Sequence, residues 1–150
     1  MELLIRKAKS DDLEAFCRLL SAPETTRYLE GPFTKERTER FLSEAGLTDP
    51  PLIYAAEADG EFIGYVIYHG YDERSVEIGW VLLPEHRKKG YASKLTEMMI
   101  EKANSSGKEA VIECSPDNEA SRRIARKFGF RYEGTSDGLD VFRLRPENKA

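Results

Sequence analysis

The sequence predicts a single mixed α/β domain over residues 1–150, and three observations lead there. Short runs rich in β-branched and aromatic residues alternate with stretches whose apolar residues recur every three or four positions. The pair Asp59-Gly60 stands between two apolar runs, the signal of a tight hairpin. With 40% hydrophobic and 33% charged residues in 150, the chain is long enough to bury one core and too short for two ordinary domains. The implied order is β-α-α-β-β-β-α-β-α-β-β, a mixed central sheet of about seven strands with about four helices on both faces.

Taken in order, residues 3–8 (LLIRKA) read as the first strand. Ser10 before Asp11, Asp12 and Glu14 reads as an N-cap followed by acids that complement the helix dipole. Leu13, Phe16, Cys17 and Leu20 share one face of that helix. A long connection punctuated by Pro23, Gly31 and Pro32 follows, and Thr34 is placed to cap a second helix whose inner face carries Phe41, Leu42 and Ala45. After Pro50 and Pro51, the hairpin runs LIYAAEA, turn, EFIGYVIYH, and a short loop with Gly70 and Asp72 leads to the strand at 75–83. A helix is expected over 91–104 and ends at Gly107; KEAVIEC at 108–114 is a strand; a helix from Pro116-Asp117-Asn118 runs to about Phe128 with Gly129 as its cap; and two strands close the chain around a turn at 136–138.

Net charge is −4, so no global field draws in nucleic acid or anionic lipid, and basic residues must act locally. Cys17 and Cys114 form no disulfide framework, and with His69 and His86 scattered no zinc spacing exists; both thiols read as small buried residues. Neither a signal peptide nor a membrane-spanning run stands out, so a cytoplasmic protein is expected.

The segment PEHRKKGYA at 84–92 sets Arg87, Lys88 and Lys89 before Gly90, Tyr91 and Ala92, where a strand becomes a helix. A helix N-terminus offers unpaired N–H groups and partial positive charge, which suits phosphate. The nine residues also read as a solvated basic turn whose glycine relieves a bend. Neither GxxxxGK[ST] nor GxGxxG is present. What remains, strand, then R-x-x-G-x-A, then helix, joined downstream by Asn118-x-x-Ser121 and Gly129-Phe130, resembles the Gcn5-related N-acetyltransferase (GNAT) family along essentially the whole chain. The stretch APETTRYLEGPFTKERTERFL is similar to the corresponding segment of the RimJ/RimL-type branch, which acetylates N-termini of ribosomal proteins.

The resemblance implies acetyl-CoA as co-substrate, with its pyrophosphate on Arg87, Lys88, Lys89, Gly90, Tyr91 and Ala92 and its pantetheine arm against the backbone of Val81 and Leu82. It implies that the fourth and fifth strands splay, commonly beside a bulge, and that no metal is required. Asn118 either pairs with an amide of the arm or caps its own helix. Glu77 is the candidate base for the acceptor amine, and otherwise an ordinary strand carboxylate. Many relatives carry a tyrosine where this chain has Ala125, which leaves Ser121 as the candidate partner of the departing sulfur, or a serine turned to its own backbone. Cys114 reads as core. Arg122, Arg123, Arg126 and Lys127 read as a solvated face or as contacts to the 3′-phosphate.

The expected function is direct acetyl transfer from acetyl-CoA to a primary amine, first a peptide or protein N-terminus. Its alternatives are a small amine (polyamine, amino acid or aminoglycoside) and a non-catalytic acyl-CoA-binding module. Expected partners are the amine acceptor alone, with no nucleic acid and no membrane, in a monomer or homodimer.

Overall fold

The protein is described here from a computed structural model covering residues 2–146. The strands are β1 (Leu3–Arg6), β2 (Ile53–Ala58), β3 (Glu61–Asp72), β4 (Ser75–Leu82), β5 (Glu109–Cys114), β6 (Arg131–Ser136) and β7 (Leu139–Leu144). The α-helices are α1 (Leu13–Ser21), α2 (Lys35–Phe41), α3 (Tyr91–Ser105) and α4 (Glu119–Lys127). All seven strands join one sheet in the order β1-β2-β3-β4-β5-β7-β6. Each neighbouring pair is antiparallel except β4 and β5, because α3 carries the chain back to start β5 in the same direction as β4. Among the described residues no helix is long and apolar enough to cross a membrane.

Strand alternation sends side chains to two cores. Val76, Ile78 and Leu82 of β4 meet Leu95, Met99 and Ala103 of α3 and Ala125 of α4 on one face. Tyr65, Ile67 and Val81 meet Phe16, Leu19 and Leu20 of α1 on the other. Phe16 is fully buried, with Phe62 at 5.3 Å and Tyr65 at 5.8 Å between ring centroids. Its truncation to alanine is expected to cost about 3–5 kcal/mol.

Several local details depart from the sequence reading. Ser10 does not cap: residues Ser10–Asp12 form a 3₁₀ turn, and the Asp12 carboxylate both accepts the Lys9 N–H and pairs with Arg6 at 2.8 Å. The cap position falls on Lys9, one residue before Ser10, because the Asp12 carboxylate held by Arg6 reaches back to the Lys9 N–H. Leu19 takes a place in the core, whereas Leu13 and Cys17 are only partly buried. Thr34 caps α2 as expected, its hydroxyl accepting the Arg37 N–H at 3.1 Å, but the helix passes into a π turn over Leu42–Gly46. The short loop expected after His69 is absent: β3 continues to Asp72, because Gly70 pairs with Val76 and a bulge takes up the extra residue before Asp72 meets Ser75.

Candidate active site

The turn that precedes α3 is built to leave its backbone donors free. Lys88 at φ 60° and Gly90 at φ 82° both adopt left-handed geometry, bending the chain sharply between the 3₁₀ turn Pro84–His86 and the helix. A Cβ added at Gly90 meets nothing within 4 Å, so the glycine is required by its φ and the space before it is open. No side chain caps α3 and no acid stands in its first turn. The N–H groups of that turn lack intrahelical acceptors and lie beside the exposed Arg87, Lys88 and Lys89. Lys127 reaches across from α4 to place its Nζ 3.0 Å from Ser93 Oγ. Two other basic residues of α4 behave differently: Arg122 pairs with Asp140 and Glu119, and Arg126 with Glu119.

Beside this terminus the sheet opens. β4 and β5 pair only at Ser75–Glu109, Val76–Ala110 and Glu77–Val111, and beyond that point they separate. No register shift occurs in β4 alongside the gap; its pairing with β3 is continuous from Val76 to Leu82, and the bulge lies at the other end, in β3. The ladder also decides which backbone groups face the gap. Leu83 donates its N–H to Ile63 at 2.8 Å, so in an antiparallel pair Val81 and Gly79 also point their N–H and C=O toward β3. Gly64 lies so close to the Val81 carbonyl that a Cβ there would stand 2.0 Å from it. Of the two residues expected to meet a pantetheine arm, therefore, Leu82 turns its backbone N–H and C=O to the gap and Val81 turns them to β3; Trp80 faces the gap as Leu82 does.

Glu77 projects on the face of α1 and α2, opposite α3. Its Oε1 lies 3.6 Å from His69 Nε2. Glu113 of β5 shares that face, and Tyr71 donates its hydroxyl to Glu113 Oε2 at 2.7 Å. Burial holds the Glu77 carboxyl above the usual carboxylate range, with His69 opposing the shift and Glu113 adding to it. The bond to Glu113 pushes the Tyr71 phenol up to about 12. A carboxylate of raised pKa at the closed end of a gap between strands is suited to taking a proton. Glu113, Tyr71 and His69 escaped the sequence reading. A signal existed for the first: once Val111 is set beside Glu77, alternation carries Glu113 to the same face.

At the other flank, Asn118 caps α4, its Oδ1 accepting the Ser121 N–H at 3.2 Å. The Ser121 hydroxyl makes no hydrogen bond to the described residues, and its side chain is partly exposed. Ala125 is fully buried under the helix. Cys114 is buried too, and its thiol is raised to about 11 by that burial and by Asp140, which disfavours a thiolate. His86 is buried, with Nε2 3.4 Å from Glu61 and Nδ1 without a hydrogen-bond partner among the described residues. The connection between α1 and α2 touches both sides of the gap: Arg87 Nη2 donates to the Glu24 carbonyl at 3.3 Å, and Tyr28 donates its hydroxyl to the Asp117 carbonyl at 2.9 Å.

A family model for the acetyltransferase (GNAT) domain matches residues 2–131. The N-acetyltransferase YnaD of Bacillus subtilis is 30% identical over 137 residues, a match covering 88% of this chain and 81% of that protein. Two solved structures share the fold at lower identity. RimL, a ribosomal L7/L12 alpha-N-protein acetyltransferase in complex with coenzyme A, superposes with a TM-score of 0.81 at 19% identity, covering 96% of this chain and 94% of its own. Spermidine N-acetyltransferase from Vibrio cholerae, in complex with CoA and spermine, gives 0.76 at 21%, covering 95% and 93%. Family match, curated relative and sheet topology agree, and this chain belongs to the GNAT family of acetyltransferases.

Proposed function

We propose that the chain moves an acetyl group directly from acetyl-CoA to a primary amine, and that the amine is a peptide or protein N-terminus. One observation carries the donor half: the N-terminus of α3 has no cap and no acid, stands among four cations and borders a gap between parted strands. Diphosphate fits such a terminus, since helix dipole, free amides and lysines all favour the anion. The amides of Gly90, Tyr91 and Ala92, with Arg87, Lys88 and Lys89, hold it there. Along the gap, the backbone of Leu82 and Trp80 pairs with the amides of the pantetheine arm, and the Asn118 amide lies at the facing edge.

For the acceptor, Glu77 removes the ammonium proton, directly or through a water. An α-amino group suits it, because a reference pKa of about 7.7–8.0 asks less of a base than lysine's of about 10.4. The segment at 22–42, similar to the RimJ/RimL branch, supports an N-terminal acceptor. A second reading, a small cationic amine such as a polyamine, is supported by the two carboxylates Glu77 and Glu113 on the acceptor face.

Thiol release from acetyl-CoA against a panel of N-terminal peptides and small amines tests the choice. Peptide turnover at least about tenfold above the best polyamine in kcat/KM is expected; the reverse order installs the second reading, and CoA binding without any turnover leaves a binding module. Glu77→Gln is expected to lower kcat about 100-fold with CoA affinity retained. The sign of the pH effect follows from the carboxyl's raised pKa. Glu77 must be ionised to act, so turnover falls as pH drops through a value above the ordinary carboxylate's of about 4.3. The variant loses that limb and keeps the limb of the acceptor amine. An unchanged profile removes Glu77 from the base role.

A further inference from the structure

GNAT chemistry leaves a thiolate to be protonated, and in this chain helix α4 offers no good donor for it. Ala125 is a buried methyl, Asn118 is engaged as the cap of α4, and Ser121 is an aliphatic alcohol, a far weaker acid than a phenol. The Cys114 thiol lies in the core. The Tyr71 hydroxyl is held by Glu113 on the acceptor side. One further phenol meets the loop that joins β5 to α4, from a different part of the chain.

Tyr28 belongs to the connection between α1 and α2, 89 residues from Asp117, yet its hydroxyl donates to the Asp117 carbonyl at 2.9 Å. Asp117 directly precedes Asn118, at the point where β5, the strand that has parted from β4, turns into α4. The same connection meets the other flank through Arg87 and the Glu24 carbonyl, so it spans the open end of the gap. The phenol is thus carried to the α4 side of the slot with its single O–H aimed at an exposed carbonyl, an acceptor it can exchange for sulfur. The Tyr28 side of this contact is 39% exposed, which lets solvent return a proton to the oxygen.

We propose that the Tyr28 hydroxyl protonates the coenzyme A sulfur as the C–S bond breaks, a role that rests on the acetyl-transfer reading above. The amine lone pair forms the new N–C bond, and Glu77 takes the ammonium proton. The C–S electron pair stays on sulfur, which receives the Tyr28 proton to become the free thiol, and the phenolate is reprotonated from water. Phenols as a class are far closer in acidity to thiols than aliphatic alcohols are, and such a match favours proton transfer in the transition state.

Tyr28→Phe keeps the ring and removes the proton. With acetyl-CoA and the best acceptor of the panel, kcat is expected to fall about tenfold or more while KM for acetyl-CoA stays within about twofold. The alkaline limb of the kcat profile disappears in this variant, and fluorotyrosine at position 28, a stronger acid, moves that limb to lower pH. A strap that merely closes the gap would instead raise KM and leave the limb in place. Tyr28→Phe with kcat within twofold of wild type overturns the proposal, as does a loss carried by KM alone or a limb indifferent to fluorotyrosine. If the wild type releases no thiol with any acceptor, the acetyl-transfer reading falls and takes this role with it; an active wild type beside an equally active Tyr28→Phe sinks only the role of Tyr28.

Discussion

Helices α3 and α4 each follow one of the two strands that part, and their N-termini are finished in opposite ways. At α4 the Asn118 side chain satisfies the Ser121 N–H and Glu119 sets a negative charge in the first turn. At α3 the chain enters through a left-handed glycine, offers no cap and no acid, and gathers Arg87, Lys88, Lys89 and the Lys127 ammonium. The first terminus is complete within the protein. The second is electrostatically incomplete, as the anion site proposed above requires. The contrast isolates what makes a helix end a binding site: every helix has free amides, but only one whose own sequence leaves them unsatisfied keeps them available to a ligand.

Substitutions that erase this asymmetry test it. The largest effect belongs to Gly90→Val. Left-handed geometry costs an L-residue about 1–2 kcal/mol and a β-branched one more, so the turn re-forms elsewhere. The Kd for CoA by calorimetry is then expected to rise about tenfold or more, with the circular dichroism of the fold kept. An affinity within twofold of wild type would detach the turn from the ligand. Ser93→Glu is intermediate, because it gives α3 the acid that α4 already has. An acid in the first turn stabilises the helix by about 0.3–1 kcal/mol, so Tm rises while CoA affinity falls about threefold. Both moving in the same direction would break the comparison. Asn118→Ala has the smallest expected effect on the ligand, and its loss of about 1 kcal/mol of stability from the missing cap is read by denaturant titration. A drop in CoA affinity beyond that of Ser93→Glu would show that the amide serves the pantetheine arm in addition to its helix.

The strands, the two hairpin turns, the caps at Thr34 and Asn118 and the exit at Gly129 were legible along the chain, because each depends on neighbours within a few residues. The basic turn was legible as well, since charge and glycine are adjacent in sequence. Two kinds of feature were not. Strand continuation past His69 depended on what β4 offered as a partner, and the lost cap at Ser10 depended on Arg6, Asp12 and Glu57 meeting across the sheet edge. Val81 and Leu82 are adjacent apolar letters of one strand, yet they aim their backbones at opposite sides, which the register with β3 alone decides.

What the sequence determined by itself is the family, the order of elements and the basic turn before α3, all of it written in contiguous motifs. What only the tertiary structure decided is the acceptor half. Glu77, His69, Tyr71 and Glu113 come from three strands, and Tyr28 reaches its partner from 89 residues away. The raised pKa of Glu77 belongs to that assembly too, because burial and a second carboxylate exist only once the strands are packed. Local free energies choose helices, turns and caps, whereas electrostatics and proton affinity depend on distances through space, which the linear order of residues does not contain.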